Sequence, residues 1–119
     1  EQTTYSRFNE RFKNSYSRLV HILKEEVQNI ALCTITGIEG DENLEIRDKL
    51  AMADDIIRSL AQQFGCHLID INTAFKNELA RLKAAGQSKE YLLTIDGVHL
   101  SHKGAEVVAE KMFEFFAQD

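Results

Sequence analysis

A chain of 119 residues, 44% hydrophobic and 28% charged, has the composition of a soluble globular protein, and at that length a domain buries roughly two-thirds of the surface its unfolded chain exposes, enough for one core. The net charge of -5 argues against a nucleic-acid partner, because phosphate neutralisation needs clustered Lys and Arg and here they alternate with Glu and Asp. No apolar run approaches the roughly 20 residues needed to cross a bilayer; no signal peptide is legible, and the opening on Glu1 rather than Met fits a processed or trimmed chain, so the compartment stays open.

Tyr5, Phe8, Phe12, Tyr16, Leu19, Leu23 and Val27 recur at steps of three and four, which predicts one stripe of a long amphipathic helix. The run from Ile30 to Thr36 reads as a buried strand ending at Gly37, followed by the acidic loop Glu39-Gly40-Asp41-Glu42-Asn43. A second helical stripe follows at Ile46, Leu50, Ala53, Ile57, Leu60 and Phe64, with Gly65 where a left-handed terminating residue is favoured. His67 to Ile71 is a second strand. Asn72 or Thr73 starts a third helix that runs through Leu82 and is broken at Gly86, and a last helix spans about Ser101 to Phe116.

Helix, strand, helix, strand, helix, helix is the order of a parallel sheet covered by helices on both faces. It is also incomplete, since two parallel strands leave edges of unpaired backbone groups and the first helix has no strand before it. No proline, repeat, low-complexity stretch or linker divides the 119 residues. The expectation is a single partial domain over residues 1–119, half of a doubly wound α/β fold.

Between the apolar run Tyr91-Leu92-Leu93 and the last helix lies Asp96-Gly97-Val98-His99-Leu100-Ser101. An acid three residues ahead of a histidine presents an imidazole together with a carboxylate that fixes its tautomer. The alternative is structural: an Asp before Gly is a common turn residue whose side chain bonds the backbone two positions on, and the His merely satisfies a loop. The pair supplies a base and its orienting acid but no nucleophile.

The run Tyr91 to Ser101, followed by Lys103-Gly104-Ala105 and a helix, resembles the last sequence block of the SGNH, or GDSL-type, serine hydrolases, whose D-x-x-H element contributes the catalytic Asp and His. The upstream order of elements, including the strand ending Leu68-Ile69-Asp70 and the helix bearing Phe75, is similar to the second half of that flavodoxin-like fold. The resemblance implies an esterase acting on acyl esters, with Asp96 and His99 as triad acid and base and no metal or cofactor. The family's Gly-Asp-Ser block and its glycine and asparagine oxyanion donors do not occur here. The serine is therefore expected from a companion chain or an N-terminal segment outside this sequence. A different reading is a non-catalytic α/β interaction module, or remnant, that forms a homodimer through its exposed sheet edge.

The remaining candidates read more plainly. Ser6, Ser15, Ser17 and Ser59 fall on helices, Ser88 in a polar loop, and Ser101 where it caps the last helix. Cys33 and Cys66 read as buried reduced thiols without zinc-ligand spacing. Asp70 either caps the third helix or acts as a second acid near the site. Asp96, His99 and His102 form D-x-x-H-x-x-H, but joint metal ligation from a loop and a first helical turn is strained. His21 and His67 are single helix-face and strand-entry residues, and Phe113, Phe115 and Phe116 are expected to pack the last helix onto the sheet or to touch a partner.

Overall fold

A computed structural model describes residues 4–40 and 44–118, with side chains from Ser6 onward; the Tyr5 side chain and the loop residues Asp41, Glu42 and Asn43 lie outside the described residues. In chain order the elements are α1 (Thr4–Glu26), β1 (Ala31–Cys33), α2 (Leu44–Phe64), β2 (His67–Ile69), α3 (Ile71–Ala84) and α4 (His102–Phe116). The strands pair in parallel, Ala31 opposite His67, Leu32 opposite Leu68 and Cys33 opposite Ile69.

Strand alternation sends neighbouring side chains to opposite faces, and each face has its own helices. Leu32 joins Val20 of α1 with Ile57, Leu60 and Ala61 of α2 in one buried cluster, against which Leu68, Phe12 and Tyr16 pack. On the opposite face His67 meets the Phe115 ring of α4 edge-on, at 5.6 Å between centroids. A second cluster, Phe75, Leu82, Leu93 and Val107, ties α3 and α4 to the segment before α4. The α/β architecture with helices on both faces follows the sequence pattern.

Both strands are shorter than the apolar runs suggest, for an identifiable reason. The Thr34 amide still donates to the Ile69 carbonyl at 3.1 Å, but the next amide, Ile35, turns to the Asp54 carboxylate at 2.6 Å. Asp54 is buried; desolvation pushes its carboxyl up, against the opposing pull of the Ile35 amide and Arg58. β2 ends at Ile69 because Asp70 becomes the N-cap of α3, accepting from the Thr73 amide at 3.2 Å. The cap is therefore Asp70 rather than Asn72 or Thr73.

Asp70 also ties three elements together. Arg58 of α2 donates to it from Nε and Nη2, each at 3.1 Å, and the Thr34 hydroxyl donates at 2.9 Å while accepting from the Asn72 amide at 2.9 Å. Burial raises the Asp70 carboxyl, but the hydrogen bonds from Arg58, Thr73 and Thr34 outweigh it and hold the group well below the usual carboxylate range.

Three expectations about apolar residues need correction. In α1 the buried residue after Tyr16 is Val20, fully buried, whereas Leu19 is 52% exposed and Ile22, Leu23 and, just beyond the helix, Val27 are exposed too. At 100° per residue Phe8 to Leu23 cover an apolar arc of about 160°, wider than the single side that α2 and β1 occupy. Of the three phenylalanines of α4, Phe115 meets the sheet through the His67 ring, while Phe113 and Phe116 stand 75% and 72% exposed. Cys33 and Cys66 are free thiols, half-buried rather than buried. Gly65 takes the left-handed φ of +66° that ends α2. Among the described residues no helix is long and apolar enough to cross a membrane.

Replacing Asp70 by Asn removes an ionic acceptor shared by Arg58, Thr34 and the α3 terminus, and urea unfolding at neutral pH is expected to show a loss of about 1–3 kcal/mol. Because the folded carboxyl titrates below its unfolded value, its contribution is present above the unfolded pKa of about 3.9 and is lost as pH falls below it. The gap between Asp70→Asn and the parent should therefore narrow below about pH 4; a gap independent of pH would contradict this account.

Candidate active site

The segment carrying Asp96 and His99 is a tight loop closed at its base. Thr94 and Leu100 form an isolated antiparallel bridge, the Ile95 amide donates to the His99 carbonyl at 2.9 Å, and the Ser101 amide donates to the Leu93 carbonyl at 3.0 Å. Asp96, Gly97 and Val98 make the tip, with Gly97 at φ +99°, a conformation that side-chain-bearing residues rarely adopt. Ser101 then caps α4, its Oγ accepting from the Gly104 amide at 3.1 Å. Gly104 lies so close to the loop that a Cβ there would run into the Leu93 carbonyl. The sequence Leu-Ser-x-x-Gly thus sets both the start of α4 and its approach to the loop.

At the tip, Asp96 Oδ2 lies 2.7 Å from His99 Nδ1. Its other oxygen accepts from the amides of Val98 at 2.9 Å and His99 at 2.7 Å. The His99 and Val98 amides, then the His99 ring, hold the Asp96 carboxyl down at about 2. An ionised carboxylate can only accept, so His99 Nδ1 carries a proton, and in the neutral imidazole the lone pair is then on Nε2. The His99 side chain is 75% exposed, so Nε2 belongs to a ring open to a reactant. The contact selects the tautomer of the ring and points Nε2 away from the carboxylate.

Sequence reasoning missed the residue that holds this loop. Glu39, read as part of an acidic loop, is only 6% exposed. Its Oε1 accepts from the Leu93 amide at 3.0 Å, the Thr94 amide at 2.7 Å and the Thr94 hydroxyl at 2.7 Å, and its Oε2 accepts from the Leu92 amide at 2.9 Å. Its own amide donates to the Gly97 carbonyl at 2.8 Å. No local pattern separates Glu39 from the acids that follow it; the partners are more than 50 residues away in sequence.

The other candidates are committed elsewhere. Asp70 is engaged by Arg58, Thr34 and Thr73, and the carboxylate that meets His99 is Asp96. His102 pairs with Glu106 at 3.1 Å across one helical turn. Among the described residues no group of three or more His, Cys, Asp or Glu side chains is arranged to hold a metal ion. Ser6, Ser15 and Ser17 lie on α1, Ser59 on α2 and Ser88 in the loop after α3, and the Ser101 oxygen is used as a cap. A cavity of about 210 Å³ opens beside Thr36, Gly37, Asn72 and Phe75, at the carboxyl end of β1, but neither Asp96 nor His99 lines it.

Comparison with curated proteins finds no match. Among solved structures, an acetyl xylan esterase, AlAXEase, is 32% identical with a TM-score of 0.72, covering 90% of this chain and 55% of its own. An acetylxylan esterase from Geobacillus stearothermophilus is 24% identical with a TM-score of 0.74, over 93% of this chain and 48% of its own. An alpha/beta hydrolase enzyme from the metagenome of Lake Arreo, Spain, is 24% identical with a TM-score of 0.73, over 89% and 46%. The chain therefore spans about half the length of the solved structures it matches. The model of the GDSL-like lipase/acylhydrolases matches residues 2–112, nearly the whole chain, and with the shared parallel-sheet architecture it establishes that this chain belongs to the GDSL-like lipase/acylhydrolase, or SGNH, family.

Proposed function

We propose that this chain is one partial domain, the C-terminal half of an SGNH hydrolase, and supplies the acid and base of a Ser-His-Asp triad that hydrolyses acyl esters, with the serine outside these 119 residues. The observation that carries the reading is the 2.7 Å contact of Asp96 Oδ2 with His99 Nδ1 on an exposed loop tip. His99 Nε2 takes the proton of the serine hydroxyl as its oxygen attacks the ester carbonyl, and returns that proton to the departing alcohol. Water, activated by the same nitrogen, then cleaves the acyl-enzyme. Asp96 holds the tautomer and stabilises the imidazolium formed in each half-reaction. No metal or cofactor takes part in this scheme.

The relatives support the class of chemistry. In the Geobacillus stearothermophilus acetylxylan esterase, a serine-to-alanine and an aspartate-to-alanine substitution each give a catalytic mutant. Acetyl esters of carbohydrate are accordingly the first substrates to assay. The three-quarters exposed imidazole and the exposed Leu19, Ile22 and Leu23 of α1, with Val27 just after it, fit a partner segment that completes both site and fold. The same apolar face, with the open edge of the two-stranded sheet, favours the second reading, a homodimeric interaction module without catalysis.

In the catalytically complete enzyme, His99→Ala is expected to lower kcat/KM for p-nitrophenyl acetate by about 10³-fold or more, and Asp96→Asn by a comparable factor. Undiminished activity in His99→Ala would remove the base from this assignment. Intact-mass analysis with a serine-directed phosphonate separates the two readings. Labelling is expected on a companion chain or N-terminal segment, whereas labelling of a lone 13.6 kDa species would place the nucleophile within this chain. A homodimer inert to the phosphonate would favour the interaction module.

A further inference from the structure

Both hydrogen bonds that hold Gly97, at the tip of the Asp96–His99 turn, lead back to Glu39. Three consecutive amides, Leu92, Leu93 and Thr94, converge on its carboxylate, and the Thr94 hydroxyl adds a fourth donor at 2.7 Å. That hydroxyl in turn accepts from the Gly97 amide at 2.9 Å, and the Glu39 amide holds the Gly97 carbonyl at 2.8 Å. Gly97, the residue between Asp96 and Val98, is thus fixed on both its amide and its carbonyl side, once through Thr94 and once directly. Leu93 and Thr94 are almost fully buried, so amides deprived of the carboxylate have no water to turn to.

We infer that Glu39 is a positioning residue for the Asp96–His99 pair, a buried carboxylate clamp that sets the His-bearing loop on the end of the β1 segment. The inference rests on the triad reading above and deepens it. Hydrogen bonds to a carboxylate are short and directional, and three from backbone N–H groups with a fourth from a hydroxyl on one group hold the loop in one arrangement. The side chain must be an acceptor on both oxygens. A glutamine would keep one acceptor for Leu93 and Thr94 but turn an NH₂ donor toward the Leu92 amide, or the reverse. The link between Glu39 and the reacting nitrogen runs through Thr94 and Gly97 to Asp96, so Glu39 touches neither substrate nor His99 in this role.

The test uses the catalytically complete enzyme, p-nitrophenyl acetate as substrate, hydrogen exchange of segment 91–99 by mass spectrometry, and the downfield proton resonance of His99 Nδ1–H. Glu39→Gln is expected to lower kcat by roughly 10²-fold, as a misplacement of about 1 Å does, with KM within about twofold of the parent. It should also speed exchange across 92–97 and broaden or abolish the Nδ1–H resonance. Thr94→Ser, which keeps the hydroxyl, should retain parent values, and Thr94→Val, which removes it, should lower kcat by about tenfold and broaden the same resonance. The Thr94 pair decides the matter if Glu39→Gln fails to fold. An unchanged kcat and resonance in Glu39→Gln would overturn the clamp, as would equal losses in Thr94→Ser and Thr94→Val. Full activity in His99→Ala would instead overturn the triad reading, while the exchange and resonance measurements would still report whether Glu39 positions the loop.

Discussion

A parallel ladder three residues long leaves most of the backbone donors at its carboxyl end without a strand to pair with, and this chain satisfies them with carboxylates. Asp54 takes the Ile35 amide where β1 stops, Asp70 takes the Thr73 amide where β2 stops, and Glu39 takes three amides of the segment before α4. Asp96 takes two more at the loop tip. The buried ones among them, the Leu93 and Thr94 amides, would each cost about 1–3 kcal/mol if left unpaired. The acidic side chains of this protein are in these four cases acceptors of backbone amides that decide where strands end and loops turn.

Environment gives the same chemical group different behaviour. Asp70, meeting Arg58 and two further donors, is held well below the usual carboxylate range, whereas Asp54, buried against a single amide, is pushed up. Asp96 is exposed, and its low value comes from the Val98 and His99 amides that curl around it. That turn therefore does two things at once: it keeps Asp96 ionised and it places the ionised oxygen on His99 Nδ1. That Nδ1 faces the carboxylate and Nε2 faces outward is a consequence of local backbone geometry, and that geometry is maintained by Glu39 and Thr94.

The fold leaves apolar surface that nothing among the described residues covers. Leu19, Ile22 and Leu23 of α1 and Phe113 and Phe116 of α4 are exposed, and among the described residues the sheet has two strands. A two-stranded sheet is marginal by itself, and the family members it matches are about twice as long. Packed against further strands and helices, the same residues would become core. The wide apolar arc of α1 is thus explained by one face turned to α2 and another turned away from every described element.

Periodicity and turn chemistry made much of this legible in the sequence. The helices among the described residues, the end of α2 at Gly65, the Ser101 cap and the Asp96–His99 pairing depend on contacts within a few residues, so local spacing determines them, while the strands were legible as apolar runs although they pair between distant residues such as Ala31 and His67. The family follows from the same local block with the order of elements around it. Which side of α1 is buried, why β1 stops at Cys33, why Asp70 serves Arg58 rather than the site, and why Glu39 is interior were decided only by tertiary structure. The physical reason is distance along the chain. Asp54, Arg58 and Glu39 find their partners 12 to 55 residues away, and a carboxylate that will accept buried amides looks, in sequence, like any solvated acid.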